Sequence, residues 1–270
     1  MHSGGNAVDY AARLRYSMSM QSITVRVLGV AIQAGLLQAA GCAGPGAAVK
    51  QGGAVVGSPG SPKYDCRPAA EPITLDGRLD EPAWQDAPFS EEFLVSSTVR
   101  TMPDKLRTRM KLLYDKDSLY VGLQTEDSDI WCTYAGHDEP VMYEKALLFN
   151  VDPLGNGRDY YGFYVNPMNA LLDIHAVGGV AEMSQRRWQK CVEWNAKGIR
   201  HAVQVDGTLN KRDDVDNGWT LELQVPFDAI GVRPAAGDAW LIQAGRIDYW
   251  LGGKIMSSWT RASFGALLFR

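Results

Sequence analysis

Leu106-Arg107-Thr108-Arg109-Met110-Lys111-Leu112 alternates apolar or small residues with basic ones, and Leu119-Tyr120-Val121-Gly122-Leu123-Gln124 resumes the alternation after Asp115-Lys116-Asp117. A period of two is the mark of a strand with one wet face, and the Asp-Lys-Asp break is a turn. The stretch therefore reads as a β-hairpin. Working outward, further strands are expected at 146–152, 160–166, 171–177, 201–206, 220–225, 240–248 and 265–269. Gly, Asn, Asp and Pro separate them, as in Asp152-Pro153-Leu154-Gly155-Asn156-Gly157. Helix signals are few: 81–87 after Asp80, and one turn at 226–230. Many short strands at close spacing predict an all-β antiparallel sandwich with one or two short helical turns.

The chain has 270 residues, 46% of them hydrophobic and 21% charged, which is a globular composition. Its net charge of -4 argues against a nucleic-acid partner, which would favour a basic surface. No apolar run reaches the roughly 20 residues of a mature spanning helix, which argues against a polytopic helical membrane protein.

Residues 27–41 are a short apolar stretch preceded by Arg26 and ending Ala39-Ala40-Gly41-Cys42. This pattern is that of an export signal, and Cys after Ala-Gly resembles the lipobox of bacterial lipoproteins, whose Cys is acylated. The lipobox prefers Leu where Ala39 stands. Residues 42–63, rich in Gly, Ala, Ser, Pro and Val, read as a flexible tether that buries no core. The expected organisation is a leader and signal at 1–41, a linker at 42–63 and a β domain at 64–270. Cys42 is the expected lipidation site, and the expected location is the cell envelope, periplasmic or outer-membrane-anchored. Cys66, Cys132 and Cys191 allow at most one disulfide, and spacing does not choose the pair.

Ile73-Thr74-Leu75-Asp76-Gly77, followed by Leu79-Asp80-Glu81-Pro82-Ala83-Trp84, resembles the opening I-x-[LI]-D-G-x-L-[DN]-E-x-A-W of family 9 carbohydrate-binding modules. The similarity continues through Tyr114–Val121, Asp129-Ile130-Trp131, Val151-Asp152-Pro153, Tyr160-Tyr161 and Val165-Asn166-Pro167. It then takes in Val205–Asn210, Gly218–Glu222, Val225-Pro226-Phe227, Gly237-Asp238, Arg246, Trp259 and Phe264-Gly265. The resemblance implies an immunoglobulin-like or jelly-roll-type sandwich related to the DOMON group, whose members bind sugars or haem and hydrolyse nothing. It implies an oligosaccharide or polysaccharide partner and a sugar site at Trp259 and Arg246, while the lipobox-like Cys42 leads to the expectation of membrane contact through the lipid anchor only. Tyr143, Glu144 and Trp131 would complete that site. Most of the matched residues have structural duties: Trp84 and Trp219 are expected in the core, and Asp76-Gly77 and Asp206-Gly207 in turns.

The chain also departs from the family. Leu148 stands where an acid is usual, and Gly162 replaces the Glu of Tyr-Tyr-Glu-Phe. Asp127 with Asp129, Asp152 with Asp159, and Asp213-Asp214-Val215-Asp216 raise the question of a structural calcium. No G-x-S-x-G, H-E-x-x-H or Walker motif is present, so an enzyme is not expected. Two alternatives stand beside sugar binding. One is a haem-binding electron-transfer module using Met102, Met110, Met142, His137 or His175 as axial ligands. The other is a ligand-free structural or interaction domain.

Overall fold

A computed structural model of the protein describes residues 61–97, 105–179, 183–250, 253–260 and 264–270. The elements run β1 (Lys63–Pro68), α1 (Pro82–Asp86), β2 (Leu94–Ser97), β3 (Thr108–Tyr114), β4 (Ser118–Glu126), β5 (Ala146–Asp152), β6 (Tyr160–Val165) and β7 (Leu171–Ala176). They continue through α2 (Gln185–Val192), β8 (Arg200–Asp206), β9 (Gly218–Pro226), α3 (Phe227–Ile230), β10 (Ala239–Trp250), β11 (Gly253–Ser258) and β12 (Gly265–Phe269). Cys42 and most of the expected linker lie outside the described residues; β1 begins at Lys63, beside the expected domain start.

The β3–β4 hairpin forms as read, from Thr108 opposite Thr125 to Tyr114 opposite Leu119. One oxygen of Asp115 accepts from the amides of Asp117 and Ser118, both at 2.7 Å, which closes the turn. β9 and then β8 extend this layer on the β4 side. The second layer runs β7-β6-β5-β10, with β12 along the first part of β10 and β11 along the rest. β1 joins the layers, pairing in parallel with β12 through Lys63–Cys66 and with β3 through Arg67 and Pro68. A purely antiparallel expectation is corrected at this one strand. β1, β2, β11 and α2 were not legible in the pattern; α2 is a polar amphipathic segment that stands on a face already formed.

The inward residues of both layers make one core. Trp219, Leu221, Leu223 and Val225 of β9 and Leu119, Val121 and Leu123 of β4 meet Leu147, Phe149 and Val151 of β5 and Trp240, Ile242 and Ala244 of β10. Trp84 and Trp219 are buried as expected. The expected wet face of β3 is not wet throughout. Residues of the α1 segment cover it, so that Trp84, Ala83 and Leu79 pack on Leu113 and Tyr120. Lys111 is buried there, its ammonium donating to the Trp84 carbonyl and lying over the Phe89 ring. Cys66, Cys132 and Cys191 are free and buried.

Glu222 explains why the opening motif has its form. It faces away from the core on β9, and one oxygen accepts the amides of Asp76 and Gly77, both at 2.8 Å. The other accepts the Trp84 indole N–H, also at 2.8 Å. A single carboxylate thus fixes the Asp-Gly turn and the Trp. Gly77 has φ +91°, and a Cβ there would come within 2.5 Å of the β8 backbone, so the turn requires glycine.

Burial is the main reason that the Glu222 carboxyl is raised to about 7, with Glu81 adding to it and the three N–H donors opposing. A carboxyl raised on folding binds more protons in the folded state, so its contribution is present below the unfolded value of about 4.5 and fades as pH rises towards 7. The melting-temperature gap between the parent and Glu222→Gln should therefore be larger at pH 5 than at pH 8. Equal gaps at both pH values would refute the assignment.

Candidate functional site

The structure separates the expected site residues. Trp259 continues from β11, donates its amide to Ala244 O at 3.0 Å, and is 5% exposed within the main core. Its ring lies where a Cβ on Gly265 would come within 2.5 Å. Its ring packs in the core and leaves little face for a sugar ring to stack on.

Arg246 also points inward from β10. Its guanidinium donates to the Glu126 carbonyl at 2.6 Å and pairs with Asp248 at 2.6 Å and Asp127 at 3.2 Å. Lys145 pairs with Asp127 at 3.0 Å and with Asp248 at 2.8 Å. All four side chains are buried, two cations against two anions. Burial pushes Asp127 upward, and the two cations oppose it. This neutral quartet holds the segment after β4, the start of β5 and the end of β10 together. The guanidinium is held within it, away from the outward face of the layer.

Glu144 accepts the amides of Thr133 at 2.6 Å and Tyr134 at 3.3 Å, with the Thr133 hydroxyl as a third donor. It is a loop clasp. Trp131 is half-buried under the Arg212 guanidinium, 5.3 Å from its ring centre. Tyr143 is half-buried in a 3-10 turn, Val141–Tyr143, packed against β6.

Several of the acids raised for calcium have other partners. Asp127 holds Lys145; Asp152 accepts the amides of Gly155 and Gly157; Asp159 accepts that of Gly178; Asp216 accepts those of Ile130 and Thr208. Asp129 and Asp214 each keep one buried oxygen without a hydrogen-bond partner. The methionines and histidines weighed for haem are dispersed. Met110 is in the main core, Met142 packs on the opposite face of the β5–β7 layer, and Met102 lies outside the described residues. His137 meets Asp173, and His175 stacks on Tyr161 at 4.3 Å.

What the structure does bring together is the outward face of the second layer. Leu148 and Asn150 of β5, Gly162 and Tyr164 of β6, and Gln243 and Gly245 of β10 lie side by side on it. Asn150 is opposite Gly162 on one side and Gln243 on the other, while Leu148 is opposite Tyr164 and Gly245. The two departures from the family pattern, Leu148 and Gly162, are thus neighbours on one surface. The Asn150 amide donates to Gln243 Oε1 at 3.1 Å, and its carbonyl oxygen is buried. A Cβ on Gly162 would come within 2.6 Å of that oxygen, so the Asn150 carboxamide fills the space a Glu side chain would need.

Tyr164 lies next to Asn150, and further aromatics share the same side of the layer. Tyr164, Tyr134 and Phe264, with Trp188 of α2, pack on the small core formed by Leu172, Ile174, Ala176 and Tyr160, and each is partly exposed. Burial pushes the Tyr164 phenol up to about 12, and a hydrogen bond with the Asn150 side chain opposes this. Asn150, Gln243 and Tyr164 were missed in the sequence reading. The available signal was Asn150 itself, a lone amide within the apolar run Ala146–Val151.

No family model matches the sequence, and no curated protein does. Solved structures match its shape. A Bacteroides uniformis chain described as a "putative carbohydrate-binding protein" aligns over 78% of this chain and all of its own, with 17% identity and a TM-score of 0.58. A family 9 carbohydrate-binding module from Caldicellulosiruptor kristjanssonii, solved with cellotriose, aligns over 77% of this chain and 94% of its own, at 12% identity and a TM-score of 0.51. The same module with glucose gives 0.50. These likenesses are ones of fold: the chain has the β-sandwich of family 9 carbohydrate-binding modules.

Proposed function

We propose that residues 64–270 are a non-catalytic carbohydrate-binding domain whose ligand lies on the outward face of β5, β6 and β10. The observation that carries this reading is the Asn150–Gln243 pair beside the partly exposed Tyr164 ring, on a layer whose outward side also carries the partly exposed Tyr134, Trp188 and Phe264. Gln243 is partly exposed, and its carboxamide offers both donors and an acceptor to sugar hydroxyls. The flat C–H faces of a pyranose suit the surrounding aromatic rings. The fold likeness to modules solved with cellotriose and glucose supports the same class of ligand.

Leu148 and Gly162 stand where carboxylates would have added acceptors, so binding is weak, on the order of micromolar to millimolar (about -8 to -4 kcal/mol). Asp152, the acid at an outward position of β5, is tied to the amides of Gly155 and Gly157. That leaves this face without the opposed carboxylates of a glycosidase. A glycan array probed with the full chain tests the reading. Selective retention by a β-linked or other oligosaccharide supports it, and retention by none favours an interaction domain.

The proposal extends to the amino-terminal segment, where Cys42 carries an acyl anchor that keeps the exported protein at an envelope membrane. Cys42→Ala should move the protein from the membrane to the soluble fraction. A variant that stays in the membrane fraction with unchanged mobility would refute the anchor.

A further inference from the structure

A second group of polar side chains lies at the other face of β7, apart from the surface just described. Asp173 points inward from this edge strand and is 0% exposed. One of its oxygens accepts the Ala196 amide at 2.5 Å; the other, Oδ1, makes no hydrogen bond. That bare oxygen faces His137, whose Nε2 is 3.3 Å away, while His137 Nδ1 lies 3.1 Å from Asp138 Oδ2. One ligand atom from each of the three residues falls within 4.8 Å of the others. The loop bearing His137 and Asp138 is fixed to the same strand, since the Asp138 amide donates to Leu171 O at 2.9 Å. Asp138 takes a left-handed φ of 62° to do so.

We propose that His137 and Asp173 bind a divalent first-row transition-metal ion of the zinc class, with Asp138 orienting the imidazole. A buried carboxylate and an imidazole nitrogen 3.3 Å apart give such an ion two protein donors. Imidazole selects zinc, cobalt or nickel over calcium and magnesium, which prefer oxygen alone. A metal-bound imidazole commonly gives its other N–H to a carboxylate, and Asp138 stands beside His137 Nδ1 to receive it. The ion would sit on the Nε2 side against Asp173 Oδ1, supplying the partner that this oxygen lacks. Burial holds Asp173 above the usual carboxylate range, with His137 among the groups opposing it, as befits a site short of positive charge. His137 and Asp138 are partly exposed, so the ion has an entry path and room for further ligands from solvent.

Titrating ZnCl2 into the metal-stripped full chain by calorimetry tests this, with CoCl2 absorption as the second reading. A single saturable site is expected, weakened at least about tenfold by His137→Ala and by Asp173→Asn. His137 is half-exposed, so its variant keeps the fold even if Asp173→Asn does not. His175→Ala, which removes an imidazole outside the group, should bind as the parent does. The cobalt spectrum should lack the intense near-ultraviolet band of thiolate ligation, which would instead point to Cys42, Cys66, Cys132 or Cys191. No saturable zinc binding, binding unchanged in His137→Ala, or a thiolate band would each overturn the proposal. In the first case the three residues are only an ion-paired triad. The outcome is independent of sugar binding on the opposite face, which has its own readout.

Discussion

Trp84→Ala should destabilise the domain by about 3–5 kcal/mol, roughly 6–20 °C in melting temperature for a domain of this size. Two losses combine. A fully buried indole leaves a cavity between α1 and the β3–β4 hairpin, and Glu222 loses the donor on one of its oxygens. Trp84→Phe separates them, because it keeps most of the apolar area and removes only the N–H. Trp219 provides the contrast: its ring is equally buried, but its indole nitrogen has no partner. Trp219→Ala should cost as much as Trp84→Ala, whereas Trp219→Phe loses no hydrogen bond and should cost less than Trp84→Phe. Scanning calorimetry of the four variants checks the pattern. An alanine variant as stable as the parent, or Phe variants in the reverse order, would contradict it.

Arg246→Ala is the second large effect, expected at about 3–5 kcal/mol because it leaves a buried carboxylate without its compensating charge. Lys145 alone would face both Asp127 and Asp248. The orphaned carboxylate is easier to bury when protonated, so the deficit should shrink as pH falls. Denaturant unfolding of parent and variant at neutral and mildly acidic pH measures both effects. The same experiment distinguishes a structural Arg246 from a sugar-binding one. A variant with parental stability but lost glycan binding would restore the ligand role.

Much of the fold was legible in the sequence because its strands alternate cleanly. Leu119, Val121 and Leu123, or Trp219, Leu221, Leu223 and Val225, each define a core face in one line of text. β11 and β2 were not legible, since Lys254-Ile255-Met256-Ser257 has little alternation and is a strand only because β10 extends past β12 to receive it. The site was harder for a physical reason. Arg246, Trp259 and Glu222 are residue types that bind ligands on surfaces, and pattern alone does not show which way a strand turns them. Here parity on β10 sends Arg246 inward with Trp240, Ile242 and Ala244, and sends Gln243 and Gly245 outward. Leu148 and Gly162 were recognised as lost acids, but the compensating Asn150 needs the cross-strand register to be seen. His137 and Asp173 are 36 positions apart in number and meet only through the fold.

The central claim is that the outward face of β5, β6 and β10 takes a saccharide beside the Asn150–Gln243 pair. Calorimetric titration of cellotriose, and of any oligosaccharide retained on the array, into the parent and Gln243→Ala chains tests it most directly. The expected result is saturable binding by the parent in the micromolar to millimolar range. Gln243→Ala should weaken it at least about tenfold, the loss of roughly one charge-neutral hydrogen bond, while the variant still melts cooperatively. No binding by the parent, or equal binding by both chains, would contradict the account.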